Sequence, residues 1–179
     1  MIDLGALSGT ALARLIRERA VTSRETVEHH IAAIERVNPH LNAVVRTRFA
    51  EARHEADQAD ARLRADSAQE LPPLHGVPCT IKECFALTGM PQSAGMVARR
   101  ELVSSSDAPA VARLRRAGAI PLGVTNVSEA CMWMESNNYV YGRSNNPYDP
   151  RHTVGGSSGG EAAIVGAGAS PMVSGHSVA

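Results

Sequence analysis

The chain has 179 residues with 18 basic and 18 acidic side chains, so its formal net charge is zero. Hydrophobic residues make up 44% and charged residues 20%, an ordinary globular composition that argues against a disordered or fibrous chain. The charge balance argues against a nucleic acid or an anionic membrane as the main partner, and no apolar run is long enough to predict a membrane span.

The cysteines and the N-terminal residues indicate the cellular setting. Three cysteines without a CxxC pair predict neither a disulfide framework nor a zinc site. The first twenty residues lack the basic region and the apolar region of a signal peptide. We therefore expect a cytoplasmic protein with no metal.

The first seventy residues are predicted to be helical. Ser8 can cap a first helix, and the capping box formed by Thr22 and Glu25 begins a second, which we expect to end at Asn38-Pro39. A third helix is predicted from about Phe49 to Ala65, where small apolar residues form one stripe. We therefore expect the chain to divide into two parts, a helical N-terminal segment of residues 1–70 and an α/β core of residues 71–179.

The pattern changes after residue 71. Residues 77–81 are apolar and β-prone, which predicts a buried strand that leads to Lys82. Asp107 is expected to cap a helix with Pro109 in its first turn, and residues 119–124 predict a second strand. The order strand, helix, strand is typical of a parallel βαβ unit.

Four further features are predicted beyond that unit. They are a helix around residues 127–134, a glycine-serine loop at 155–160, a helix at 161–165 and the start of a strand at Met172-Val173. The α/β class therefore rests on a helical segment followed by βαβ units of a sheet.

Lys82 is the only lysine in the chain, and it ends a predicted apolar strand. Ligands bind at the carboxyl ends of strands in open α/β sheets. Apolar neighbours there would disfavour the ammonium form and make the amine a candidate base. The alternative is a structural lysine that pairs with Glu83 or reaches solvent, although adjacent strand side chains point to opposite faces.

The glycine-serine loop consists of Gly155, Gly156, Ser157, Ser158, Gly159 and Gly160. Glycines allow the backbone to approach a ligand closely, and amides at the start of a helix can bind an anion. A phosphate loop is disfavoured because the lysine of GxxxxGK[ST] is missing. A flexible connector is the structural alternative. Glu161, which follows, is expected to favour the helix dipole as a cap rather than to act as a base.

Four motifs occur in order along the core: GVPCTIKECF, GAIPLGVTNVSEA, YGRSNNPYD and GGSSGGEAAIVGAGASP. Together they resemble the amidase signature family, and IKECF is similar to the fatty acid amide hydrolase branch. The resemblance implies the N-terminal part of the amidase signature fold with a mixed sheet. It also implies hydrolysis of small-molecule amides by a Ser–Ser–Lys triad, without a cofactor.

The resemblance assigns roles to particular residues. Lys82 matches the lysine that acts as base and later as acid, and Ser157 matches the bridging serine, which follows a cis peptide bond. Ser158 is its neighbour. Cys131, Ser157 and Val178 are expected to contact the substrate, with Cys131 at the acyl pocket.

The match weakens at the end of the chain. The family continues with G-[ST]-D-x-G-G-S, whose last serine is the nucleophile, whereas residues 175–179 read GHSVA. Neither Ser177 nor His176 is expected to replace that nucleophile. The resemblance thus implies a chain that ends before the nucleophilic serine and is inactive alone. The alternative is a non-catalytic fragment or split-enzyme subunit that associates with itself or with another chain.

Overall fold

The computed structural model describes residues 2–65 and 71–172, in which helices surround a mixed β-sheet. The helices are α1 Gly9–Arg17, α2 Ser23–Leu41, α3 Phe49–Ala65, α4 Pro109–Arg116 and α5 Gly159–Gly166. The strands are β1 Val44–Thr47, β2 Pro78–Lys82, β3 Ile120–Thr125, β4 Asn137–Asn138 and β5 Gly142–Arg143. Single 3₁₀ turns lie at Leu4–Ala6, Val97–Arg99 and Glu129–Cys131.

Helix α2 begins as predicted but ends later. The Thr22 hydroxyl accepts a hydrogen bond from the Glu25 amide, and the Glu25 carboxylate accepts one from the Thr22 amide, so the capping box is present. The expected end at Asn38-Pro39 is wrong, because the helix continues to Leu41. Proline removes one backbone donor without preventing helical φ. The helix stops where Asn42 adopts a left-handed conformation with φ +47°.

A three-stranded sheet with the order β1-β3-β2 lies at the centre. Strands β2 and β3 are parallel, whereas β1 runs antiparallel to β3, which confirms the α/β class and the mixed sheet. Strand β1 was not predicted, because four residues between two strong helical patterns give too short an alternation to recognise. Strand β1 connects residues 44–47, which belong to the predicted N-terminal segment, to the central sheet. The division of the chain into two domains at residue 70 stays a prediction.

The unit β2-α4-β3 is the predicted parallel crossover, and it aligns Lys82 with Thr125 at the carboxyl ends of its strands. The predicted cap of α4 is wrong: Ala108 occupies the N-cap position and makes no side-chain cap bond. The Asp107 carboxylate instead accepts hydrogen bonds from the backbone amide and hydroxyl of Thr88 and pairs with Arg115. A cation and two neutral donors therefore hold the carboxylate that would otherwise cap the helix.

The helix predicted around residues 127–134 is also wrong, since only the turn Glu129–Cys131 forms there. Ala130 and Cys131 have positive φ values of 52° and 58°, which break a right-handed helix. The Ala130 amide donates to the Ala94 carbonyl at 2.8 Å, so a contact with a distant loop replaces the local helical bond.

The last two predicted elements have different outcomes. Helix α5 is present and begins at Gly159, two residues before the predicted start. A strand was expected to start at Met172-Val173. Met172 lies in a bend, and Val173 lies outside the described residues.

Three buried apolar clusters hold the described elements together, and two of them lie against the central sheet. Helices α2, α3 and α5 pack with β1 and with Ile120 and Leu122 of β3. Cys79 and Ile81 of β2 pack with Val111 of α4. This packing brings the start of α5 to the ends of β2 and β3. Within the described ranges, no helix combines the length and apolarity needed to cross a membrane.

Candidate active site

The structure brings together two predicted site residues that are far apart in sequence. Lys82 is the last residue of β2, and Ser157 lies in the glycine-serine loop before α5. The Lys82 Nζ donates a 2.7 Å hydrogen bond to the Ser157 Oγ. The exposed fractions of Lys82 and Ser157 are 0% and 3%. Water therefore has little access to this contact, and a buried amine needs such a partner.

The backbone of the glycine-serine loop is held by its neighbours. The Gly156–Ser157 peptide bond is cis, as the family resemblance implies. A Cβ on Gly156 would lie 2.7 Å from the Trp133 carbonyl oxygen, so a larger residue would not fit. The Ser157 carbonyl accepts a hydrogen bond from the Ser136 hydroxyl, which itself accepts from the Gly159 amide. The loop thus fixes Ser157 opposite the lysine.

Glu161 connects α5 with both central parallel strands. Its buried carboxylate accepts hydrogen bonds from the Thr80 hydroxyl at 2.9 Å and from the Thr125 hydroxyl at 2.8 Å. The sequence predicted a favourable charge at the helix start, and Glu161 does lie in the first turn of α5. Its bonds to the strands add a positioning role that the sequence did not indicate. These bonds fix the position of the loop that contains Ser157 relative to the end of β2.

Glu83 is buried in a different hydrogen-bond network from the contact between Lys82 and Ser157. Its carboxylate accepts from the Ser93 amide and hydroxyl, each at 2.7 Å, from the Ala94 amide at 2.8 Å and from the Tyr141 hydroxyl at 2.7 Å. Burial and the Glu83 carboxylate raise the pKa of Tyr141 to about 12. From the sequence, Glu83 was expected only as an alternative partner for Lys82. The structure shows that it anchors the loop around residue 94.

Ser157 acts on the thiol of Cys131, whose expected place at the acyl pocket stays a prediction. Hydrogen bonds from Cys84 and Ser157 and the positive charge of Lys82 lower the pKa of the Cys131 thiol to about 7, against the effect of burial. The bond to Cys131, together with burial, raises the pKa of Cys84. The site therefore places a thiolate-prone sulfur next to a lysine and a serine.

Asn126 is a site residue that sequence reasoning missed. It follows β3, its backbone carbonyl accepts from the Gly160 amide at 3.2 Å, and its side-chain amide donates to the Ser144 hydroxyl at 3.0 Å. The signal was present, because Asn126 stands in the TNVSEA motif at the end of an apolar strand. Polar residues at such ends are candidates for organising a site.

The remaining predicted residues are placed as follows. Ser158 occupies the N-cap position of α5, and Gly155 has φ +85°, a conformation that favours glycine. Gly160 packs against the Ala43 carbonyl, where a Cβ would lie 2.7 Å away. Val178 lies outside the described residues, as do Gly175, His176 and Ser177.

The chemistry available at the site is that of an amine, hydroxyls and thiols. Among residues 2–65 and 71–172, no three His, Cys, Asp or Glu side chains are grouped to hold a metal ion. An amine and a hydroxyl in direct contact can exchange a proton along their hydrogen bond. The catalytic roles assigned to Lys82 and Ser157, and the substrate contacts assigned to Cys131, stay predictions.

Comparison with known proteins identifies the family. The amidase family model matches residues 25–178. The chain is 55% identical to fatty-acid amide hydrolase 2-A of Danio rerio over 169 residues, which are 92% of this chain and 32% of that relative. A solved fatty acid amide hydrolase superposes with a TM-score of 0.89 at 26% identity, over 94% of this chain and 29% of the other.

A second kind of structural relative belongs to an assembly. An inhibitor-bound vestigial protein complex, described as revealing the evolutionary origins of an s-triazine catabolic enzyme, matches with a TM-score of 0.85 and 33% identity. The match covers 92% of this chain and 36% of that chain. The chain spans about a third of the length of the curated relatives it matches. The motifs, the fold and the family model agree, and this chain belongs to the amidase family.

Proposed function

We propose that this chain carries the proton-transfer groups of an amide hydrolase, with Lys82 as general base and acid and Ser157 as the bridging serine. The observation that carries the proposal is the 2.7 Å hydrogen bond between the Lys82 Nζ and the Ser157 Oγ, both buried. The match to the family model supports the same assignment.

The proposed reaction uses this contact in both directions. Neutral Lys82 accepts a proton from Ser157, which at the same time accepts one from the nucleophilic serine. The nucleophile's oxygen then bonds to the amide carbon. As the C–N bond breaks, the proton returns by the same route to the departing nitrogen. Water hydrolyses the acyl-enzyme and releases the acid.

The nucleophilic serine of this scheme belongs to a family motif that the sequence of residues 175–179 does not match. The family motif G-[ST]-D-x-G-G-S supplies both the serine and the oxyanion hole, and GHSVA departs from it. Loss of one oxyanion donor alone costs roughly 10²–10³-fold in rate. We therefore propose that these 179 residues do not hydrolyse amides by themselves.

The substrate class and cellular setting belong to the proposal as well. Identity of 55% to a fatty-acid amide hydrolase supports fatty-acid amides as the first substrates to test. Cys79, Cys84 and Cys131 are free thiols. Free thiols support a reducing, cytoplasmic setting.

A chimera tests the proposal directly. Residues 1–171 are joined to the part of the Danio rerio relative that follows its matching segment, and hydrolysis of a fluorogenic fatty-acid amide is measured. The chain alone should give no hydrolysis and no labelling by a fluorophosphonate. The chimera should give both. Labelling of the isolated chain at a serine, or hydrolysis by it, would contradict the proposed division of roles.

Variants in the chimera test the proton route. Ser157→Ala should lower kcat by about 10²-fold or more because the relay is broken. Ser105→Ala is the matched control, since Ser105 is exposed and lies outside the site. Equal activity of the two variants would show that Ser157 does not carry the proton.

A second candidate function, an associating subunit, is favoured by one surface. Met132, Trp133 and Met134 are 83%, 63% and 73% exposed, and the backbone of Trp133 and Met134 lies against Gly156 of the glycine-serine loop. Contiguous exposed apolar side chains mark association sites. Sedimentation velocity should show concentration-dependent association that decreases in Trp133→Ser. A monomer at every concentration would exclude self-association.

A further inference from the structure

Ser136 contacts the glycine-serine loop from another part of the chain. It directly precedes β4, and it is 0% exposed. We propose that Ser136 is a positioning residue whose hydroxyl holds Ser157 within hydrogen-bond distance of Lys82. This inference rests on the proposed function, because it concerns the same proton relay, and its test distinguishes the failure of one from the failure of the other.

Three backbone groups of the loop bind to Ser136, and they belong to alternate residues. The Ser136 amide donates to the Gly155 carbonyl at 3.0 Å. The Ser136 hydroxyl donates to the Ser157 carbonyl at 3.2 Å and accepts from the Gly159 amide at 2.7 Å. One serine therefore holds the loop before, at and after the residue that contacts Lys82.

The loop determines how the Ser136 hydroxyl is oriented. A backbone amide can only donate and a carbonyl can only accept, so the hydroxyl accepts from Gly159 and directs its own proton to Ser157. The Ser157 carbonyl also accepts from the Ser128 amide at 3.4 Å. These bonds fix the backbone of residue 157 and with it the carbon from which the Ser157 side chain extends.

Glycine at position 159 allows the loop to approach Ser136 this closely. A Cβ on Gly159 would lie 2.5 Å from the Ser136 Oγ and 2.7 Å from the Ser136 Cβ. Any larger residue would therefore push the two segments apart. The glycine after Ser158 thus serves the contact between the loop and a single buried hydroxyl.

Ser136 is in turn connected to the strand end that presents Lys82. The Ser144 amide donates to the Ser136 carbonyl at 2.9 Å, and the Ser144 hydroxyl accepts from the Asn126 side-chain amide at 3.0 Å. Asn126 follows Thr125, which is the register partner of Lys82 in the parallel pair of β2 and β3. The lysine and the loop opposite it are therefore held by one connected set of hydrogen bonds.

The proposed relay depends on this precision. The Lys82 Nζ and the Ser157 Oγ are 2.7 Å apart, and proton transfer between heavy atoms needs a separation of roughly 2.6–3.2 Å. A displacement of about 1 Å caused by a distant change can cost about 10²-fold in rate. Ser136 acts through the backbone of Ser157, so its role is positioning and not proton transfer.

Ser23 supplies the matched control, because a buried serine can also stabilise a fold without acting on a site. Ser23 is likewise 0% exposed, and its hydroxyl donates to the Gly76 carbonyl at 2.8 Å. It begins α2, outside the site. Ser23→Ala and Ser136→Ala thus both remove a buried, hydrogen-bonded hydroxyl, and both should lower the free energy of unfolding in urea.

Nitrogen NMR of the full 179-residue chain tests the proposal. Lysine labelled with ¹⁵N at Nζ reports on Lys82 alone, since the chain has a single lysine. We expect Ser136→Ala to shift this signal in the same direction as Ser157→Ala and to speed the exchange of the amine protons with water. Ser23→Ala should leave both the shift and the exchange rate unchanged.

The variants separate the positioning role from the proposed function. A signal that responds to Ser157→Ala but not to Ser136→Ala would overturn the role of Ser136 and leave the proposed relay in place. A signal that responds to neither would overturn the pairing of Lys82 with Ser157, and the role of Ser136 with it. An equal shift in Ser23→Ala would also overturn that role, because lost stability would then explain the effect.

Ser136→Cys carries the test where Ser136→Ala fails to fold. The thiol fills the space of the hydroxyl but is a weaker donor and a weaker acceptor. Its hydrogen bonds to Ser157 and Gly159 should therefore loosen, and the Lys82 signal should again shift in the direction seen in Ser157→Ala. A folded Ser136→Cys chain with an unchanged Lys82 signal would overturn the proposal.

Discussion

The Lys82 Nζ and the Ser157 Oγ lie 2.7 Å apart although 75 positions separate the residues in sequence. Lys82 ends β2, and Ser157 lies in the loop that precedes α5. The Glu161 carboxylate, bonded to threonines of both parallel strands, keeps the helix and the strand in register. The proposed proton relay thus depends on the packing of two elements that are remote in the chain.

Lys82→Arg in the chimera should abolish hydrolysis as completely as Lys82→Met. Arginine keeps the positive charge and donor groups, but it does not lose its proton in proteins and so cannot serve as a base. We expect kcat to fall by at least about 10²-fold in both variants. The measurement is steady-state hydrolysis of the fluorogenic amide. Activity retained in Lys82→Arg would mean that the amine acts only through its charge.

Glu161→Gln should destabilise the 179-residue chain. The amide oxygen can still accept from one threonine hydroxyl, but its NH₂ group cannot accept from the other, so one buried hydrogen bond to a charged carboxylate is lost. Such a loss costs about 1–3 kcal/mol. Urea denaturation measures the change. Glu101→Gln is the matched control, because that side chain is 88% exposed, and equal effects of the two substitutions would contradict the role given to Glu161.

Alkylation of Cys131 should depend on pH with a midpoint near 7. Iodoacetamide reacts with the thiolate, so the rate follows the ionised fraction, and an unperturbed cysteine has a pKa of about 8.5. The Cys84 bond and the Lys82 charge lower the pKa of Cys131 to about 7. Lys82→Met should raise the midpoint. A midpoint at or above that of free cysteine would show that these groups do not act on the sulfur.

His30 should make the chain less stable as pH falls from 7 towards 5. Its ring is buried, and burial lowers its pKa from 6.5 to about 4 despite the bond to the Thr26 carbonyl. Between these values the unfolded chain binds a proton that the folded chain does not, so the free energy of unfolding decreases as pH falls. The loss should be about 2 kcal/mol between pH 7 and 5.

Urea denaturation at both pH values, compared between the unchanged chain and His30→Leu, isolates this contribution. The variant should show a smaller loss. His54→Gln, which alters an exposed histidine, should lose as much stability as the unchanged chain. An identical pH dependence in His30→Leu would assign the effect to other groups.

Local patterns predicted the elements whose stabilising contacts are also local. The capping box of Thr22 and Glu25 starts α2, and the apolar runs before Lys82 and Thr125 form parallel strands. These features depend on residues within a few positions of one another. The four motifs added the position of Ser157 opposite Lys82, which no local pattern specifies.

The errors arose where distant contacts determine the backbone. Residues 127–134 have helical composition, but the Ala130 amide bonds to Ala94 and leaves only a turn. Glu161 resembles a helix cap in sequence, yet its carboxylate bonds to threonines about 80 and 40 positions away along the chain.

Nitrogen NMR of the lysine side chain tests the pairing of Lys82 with Ser157 most directly. Because Lys82 is the only lysine, lysine labelled with ¹⁵N at Nζ gives one side-chain signal from the whole chain. We expect amine protons that exchange slowly with water, and a signal that shifts in Ser157→Ala but not in Ser105→Ala. A signal with the rapid exchange of a solvated lysine, unchanged by Ser157→Ala, would contradict it.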